Sequence, residues 1–154
     1  MDTLVRFVIA LALIGLGVLL YQAWSGWQLR RLRRTPARPG LEGWQAGRPG
    51  ILYFTSPDCA PCRTVQRPAL AQLRAELGEA VQIIEIDASA RTGVADHWGV
   101  LSVPTTFVLD AGGAPRHVNH GVARAEKLRQ QLQSARAGGS GDNGPRAREM
   151  ALDL

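Results

Sequence analysis

The chain has 154 residues, 45% of them hydrophobic, with 18 Lys and Arg against 13 Asp and Glu for a net charge of +5. That length holds one compact domain with an appendage and excludes two domains. Residues 1–50 carry seven arginines against Asp2 and Glu42, a net +5, while residues 51–154 are neutral; a nucleic-acid binder would carry its basic patch on the folded part, so nucleic acid is not an expected partner.

From Phe7 to Trp24 no charge appears, and extended back to Leu4 past Arg6 the run is long enough to cross a hydrocarbon core, with Arg6 snorkelling to the interface. Tyr21, Trp24 and Trp27 stand where an aromatic belt forms. A cleaved signal peptide fits less well: MDTLVR is barely basic, no A-x-A pattern follows, and the candidate Ala23 has bulky Tyr21 two residues before it. A buried soluble helix would show a polar face, and this run shows none. Residues 1–28 therefore read as one transmembrane anchor. Residues 29–48 read as a juxtamembrane linker, because Pro36, Pro39, Gly40, Gly43 and Gly47 oppose regular structure. The apolar run 4–24 and Arg30, Arg31, Arg33, Arg34 and Arg38 are expected to meet membrane lipid.

Residues 49–136 read as the domain. ILYFT, 51–55, is a continuous apolar run of the kind found in a buried central strand. After the turn-rich SPDCAPC, Cys62, Val65, Ala69, Leu73 and Leu77 recur at helical spacing up to Gly78, with Pro68 placed to kink that helix. VQIIEID, 81–87, reads as a second strand, and 90–99 as a short helix with Val94 and Trp98 on one face. Residues 105–110 and 116–120 flank Ala111-Gly112-Gly113, an antiparallel hairpin signal. Val122, Ala125, Leu128, Leu132 and Ala135 mark a last amphipathic helix, and residues 137–154 read as a disordered tail. The order is βαβα followed by ββα.

The chain has two cysteines, Cys59 and Cys62. One C-x-x-C supplies half of a zinc site, and His97, His117 and His120 lack finger spacing, which leaves a zinc site shared between chains as a minor alternative. A purely structural disulfide would close a tiny loop and constrain little chain entropy. Two inert core cysteines are a further alternative. A redox pair fits best, because the motif follows a strand and opens a helix. There Cys59 meets unpaired N–H groups and the positive end of the helix, which favour its thiolate, so Cys59 is the expected nucleophile. Cys62, one turn in and shielded, is the expected resolving thiol. Pro61 presets the helix start and keeps the sulfurs in register.

Over residues 51–136 the chain resembles the thioredoxin family. That family has C-G-P-C after its first central strand, where this chain has C-A-P-C, and a hydrophobic-Pro-Thr motif after a short helix, where this chain has Val103-Pro104-Thr105. Gly121 matches a further family glycine. The resemblance implies a thioredoxin-like three-layer α/β fold with a four-stranded mixed sheet, here preceded by one transmembrane helix. It implies a Cys59–Cys62 redox disulfide, a cis-proline at Pro104 packed beside it, and substrate binding at Pro61 and at the Val103 backbone, in strand fashion. Its implied partners are protein disulfides and an electron-donor reductase, with neither cofactor nor metal.

The departures bear on the chemistry. Asp58 stands where the family has a Trp, and a carboxylate there disfavours the Cys59 thiolate. The family's buried acid falls on Tyr53 and its lysine partner on Ile83, so Cys62 needs another proton route. The family's N-terminal strand and helix are missing or replaced by linker, which predicts little cover at that side of the sheet. Three functions stay open: a disulfide reductase; an extracytoplasmic reductase or oxidant like those serving cytochrome maturation; and a non-catalytic module holding a peptide or metal. The five arginines after the anchor favour a domain facing the cytoplasm over an extracytoplasmic one.

Overall fold

The computed structural model describes residues 2–35 and 37–139. Helix α1, Asp2–Arg34, is 33 residues and so about 50 Å long. It is long and apolar enough to cross a membrane. Large apolar side chains from Leu4 to Tyr21 are exposed all around it. The helix does not stop at residue 28. It runs six residues into the stretch read as linker, and from Trp24 onward it lies on the domain.

Four strands follow, β1 (Gly50–Thr55), β2 (Gln82–Asp87), β3 (Thr105–Leu109) and β4 (Pro115–His120), in the sheet order β2-β1-β3-β4. β1 pairs parallel with β2, and β1–β3 and β3–β4 are antiparallel. The sheet is mixed and four-stranded. Period-2 alternation splits each central strand between two cores. Ile51, Tyr53 and Val108 face α2 (Arg67–Leu77) and α4 (Ala125–Gly139), together with Leu70, Leu73, Leu128 and Leu132. Leu52, Phe54, Phe107 and Leu109 face α3 (Thr92–Trp98) and the end of α1, together with Trp98 and Leu32. On this second face Trp98 packs against Phe107, and its indole N–H donates to the Pro39 carbonyl at 2.8 Å.

The expectation of little cover beside the sheet is therefore corrected. Leu32 is buried against Leu52 and Phe107. The Gln28 amide donates to the carbonyls of Trp98 at 2.6 Å and Gly99 at 3.1 Å, satisfying acceptors that the end of α3 leaves over. Arg33 donates to the Pro115 carbonyl at 2.6 Å and that of Arg116 at 3.4 Å, which covers the edge of β4. Arg38 donates to the Gly112 carbonyl at 2.6 Å. Two of the five arginines expected at lipid thus hold the domain instead. Val122, read as part of the last helix, lies before it and is exposed. Of the stretch read as tail, residues 137–139 close α4, and the rest lies outside the described residues.

Candidate active site

β1 ends at Thr55, and the chain turns through Ser56, Pro57 and Asp58 into a helix that begins at Ala60. The Cys59 N–H donates to the Ser56 carbonyl at 3.3 Å, and the Cys59 carbonyl accepts from Arg63 at 3.3 Å, which locks Cys59 to the mouth of that helix. Cys59 and Cys62 form a disulfide with Cα atoms 5.2 Å apart. The Cys62 N–H donates to Cys59 Sγ at 3.2 Å. A backbone donor thus aims at the Cys59 sulfur at the helix end, where the positive potential lies. Cys59 keeps 7% of its surface exposed and Cys62 none. Of the two sulfur-bearing residues, Cys59 is the more accessible. Pro61, exposed at φ −65°, sits in helical conformation between them, and Asp58 is exposed at the turn.

The second part of the expected site is the segment before β3. The Val103–Pro104 peptide is cis, and Val103 packs against the core cluster that contains both cysteines. The Pro104 carbonyl accepts from Gly121 N–H at 2.8 Å, and the Thr105 hydroxyl donates to the Ser102 carbonyl at 2.7 Å. Gly121 has φ +89°, a backbone region in which a Cβ is strained, so this anchor of the proline loop calls for glycine. Beside Val103 an open cleft of about 310 Å³ runs between Ser56, Ala88 and Leu101.

A family model described as Thioredoxin matches residues 44–134. The chain belongs to the thioredoxin family. It is 31% identical over 88 residues to chloroplastic thioredoxin Y of Oryza sativa subsp. japonica, covering 57% of this chain and 51% of that one. It is 34% identical over 86 residues to a thioredoxin-like protein of Synechocystis, covering 56% of this chain and 80% of the relative. The chain thus spans about half the length of the rice relative and four-fifths of the Synechocystis one. Among solved structures, chloroplastic thioredoxin z superposes with a TM-score of 0.52 at 22% identity, over 59% of this chain and 80% of the other, a likeness of fold. The family and the cysteine pair together support thiol–disulfide oxidoreductase activity.

On this thioredoxin fold the helix after the cysteines departs from the α-spacing read in the sequence. Cys62–Gln66 forms a π turn, in which the Arg67 N–H donates to the Cys62 carbonyl five residues back. The extra residue shifts the inward face to Cys62, Gln66, Leu70 and Leu73 and turns Val65 outward, 41% exposed. Pro68 is the second residue of α2, directly after the π turn and within the unbroken helical run 60–77, where it has no N–H to give the ladder. Gln66, which the sequence reading passed over, is fully buried. Its amide donates to the Ala123 carbonyl at 3.0 Å and accepts from the Ala123 N–H at 2.8 Å. Ala123 is two residues past Gly121, so Gln66 ties the cysteine helix to the loop that holds Pro104.

Beneath the pair no carboxylate stands on β1. Tyr53 is fully buried in the same cluster as both cysteines, and Ile83 packs against it. Burial, opposed in part by Thr55 and Arg67, raises the Tyr53 pKa, so its phenol keeps its proton at neutral pH.

Proposed function

We propose that the chain is a membrane-tethered thiol–disulfide oxidoreductase that reduces protein disulfides by dithiol exchange through its C-A-P-C motif. The observation that carries this reading is the asymmetry of the pair: Cys59 keeps 7% of its surface exposed and has a backbone N–H on its sulfur, whereas Cys62 is fully buried. In the reduced enzyme the Cys59 thiolate attacks one sulfur of a substrate disulfide, forming a mixed disulfide and expelling the first substrate thiolate. The Cys62 thiolate then attacks Cys59 Sγ, expelling the second substrate thiol and closing the Cys59–Cys62 disulfide. Two electrons pass to the substrate, and a dithiol reductant restores the pair.

Val103, ahead of the cis-proline, offers its main chain to the substrate strand, and exposed Pro61 flanks the same entrance. Asp58 opposes the Cys59 thiolate and repels acidic substrates. The length and apolarity of α1 support the tether. Arg30, Arg31 and Arg34 remain exposed near its end and are the residues for anionic head groups. Moving arginines outward against the potential costs ~2.3 kcal/mol per charge per 100 mV, which favours a cytoplasmic domain. Alkaline phosphatase fused after Leu154 tests that side: an active fusion reverses the orientation.

The chemistry is tested by trapping. Cys62→Ser is expected to accumulate mixed disulfides on Cys59, and Cys59→Ser few. Equal trapping by both variants, or no reduction of insulin disulfides by the unsubstituted chain, would falsify the reductase reading.

A further inference from the structure

The direction in which α1 docks fixes which end of the domain meets the bilayer. Near its C-terminus, Arg33 bonds the carbonyls of Pro115 and Arg116 at the start of β4. Nine residues earlier, Trp24 packs on His120 at the end of β4, with ring centroids 5.0 Å apart, and Tyr21 adds an edge contact at 6.0 Å. Trp24 to Arg33 spans ~14 Å of helix and Pro115 to His120 ~17 Å of strand. Helix and strand therefore lie side by side and run in opposite directions, and travelling along α1 toward its apolar part is travelling along β4 toward His120.

That end of the sheet is the redox end. His120 pairs with Thr105, the residue after Pro104, and Thr105 pairs with Phe54 at the end of β1. Cys59 lies four residues past Thr55, no more than ~14 Å away. A hydrocarbon core of ~30 Å takes ~20 residues of helix, which the run from Leu4 to Ala23 supplies. Trp24 then sits at the bilayer boundary, with His120, the cis-proline loop and the disulfide beside it. An independent observation agrees. Among the described residues outside α1, the exposed large hydrophobic side chains are Val65, Leu101 and Val122. Val65 lies one turn past Cys62, Leu101 three residues before Pro104, and Val122 directly after Gly121. All three rim the redox end.

We infer that α1 holds the redox end of the domain against the bilayer, and that its substrates are disulfides in the juxtamembrane segments of other membrane proteins. This rests on the tethered-reductase reading above and narrows its substrate class. The apolar rim suits the apolar flank of such a segment, and the electron balance is that of the exchange already given, with a dithiol as reductant. Proteins whose disulfides stand well above the membrane are out of reach, because the domain cannot turn over while Gln28, Leu32 and Arg33 hold it.

The test uses the full chain in phosphatidylcholine–phosphatidylglycerol vesicles with a soluble dithiol donor. Two synthetic single-span peptides carry the same disulfide loop, one directly after the span and one on a 30-residue helical spacer, ~45 Å out. The near loop is expected to be reduced about 100-fold faster, as confinement to one interface dictates. A flexible 20-residue Gly/Ser insertion between Ala23 and Trp24 is expected to bring the two rates toward parity while insulin reduction is unchanged. A second readout needs no turnover: bimane on Cys59 in Cys62→Ser is expected to be quenched by head-group nitroxide lipid several-fold more than bimane on Gln45→Cys, made in a Cys59→Ser, Cys62→Ser background, at the far end of the sheet. Equal peptide rates or the reverse quenching order overturns the inference alone. Loss of insulin reduction as well overturns the reductase reading, and failure to float with vesicles overturns the tether; either takes the inference with it.

Discussion

Residues 2–23 and 24–34 of α1 form one unbroken helix with two different neighbours. The first part leaves apolar side chains from Leu4 to Tyr21 exposed on every side. The second buries Gln28 and Leu32 and half-buries Trp24 and Leu29 against the domain. A helix that is apolar all round needs an apolar solvent, and composition alone says so. The second part is mixed in composition, rich in arginine, and reads as a tether. Its role comes instead from shape: it fills the place beside β4 and α3 and supplies donors to main-chain carbonyls that would otherwise face water. The boundary between the exposed apolar part and the domain thus lies inside one helix.

Truncation separates the two parts of α1 most strongly. A fragment beginning at Trp24 is expected to fold and to reduce insulin disulfides, whereas one beginning at Thr35 is expected to lose at least ~4 kcal/mol, the sum of an uncovered Leu32 pocket and lost Gln28 bonds. Urea unfolding of the two checks this, and equal midpoints would show that α1 contributes nothing to the fold.

Single substitutions sharpen it. Leu32→Ala is expected to cost ~2–4 kcal/mol as a cavity in the second core. Leu13→Ala, in the exposed part, should stay within ~0.5 kcal/mol in the same unfolding experiment. Gln28→Ala should cost ~1–3 kcal/mol by leaving the Trp98 and Gly99 carbonyls without their donor. On the other face of the sheet, Gln66→Leu serves as the counterpart, with a similar loss in urea and a slower insulin reduction, since both bonds to Ala123 go.

The smallest effect is one of pH. Burial holds His120 below its ordinary value of ~6.5, and partial burial does the same for His117, with Arg33, Arg116 and Lys127 adding to it. Above ~6.5 both are neutral in either state and stability is unaffected. As pH falls through ~6.5 toward the folded-state values, the unfolded chain binds protons that the native one resists, so stability falls. Unfolding midpoints at pH 7.5 and 5.5 should show this drop, and His120→Asn should reduce it; an unchanged drop would assign it to His117.

The sequence by itself determined the parts governed by short-range rules. The uncharged run from Phe7 to Trp24 is long and apolar enough to cross a membrane. Ile51 to Phe54 is hydrophobic at every position because both faces of that strand are covered, and C-A-P-C follows after a three-residue turn, which puts a cysteine at a helix mouth by local geometry. Tertiary structure decided the rest. The α-helical spacing of Val65 pointed inward, but the π turn adds a residue, and Gln66 takes the inward position, bonded to the Ala123 backbone. Likewise Gln28 and Arg33 look like the polar end of a tether until the carbonyls of Trp98, Gly99 and Pro115 stand opposite them. A polar side chain is buried only where a partner meets it, and partners some 60 to 80 residues away are chosen by the fold and not by the local sequence.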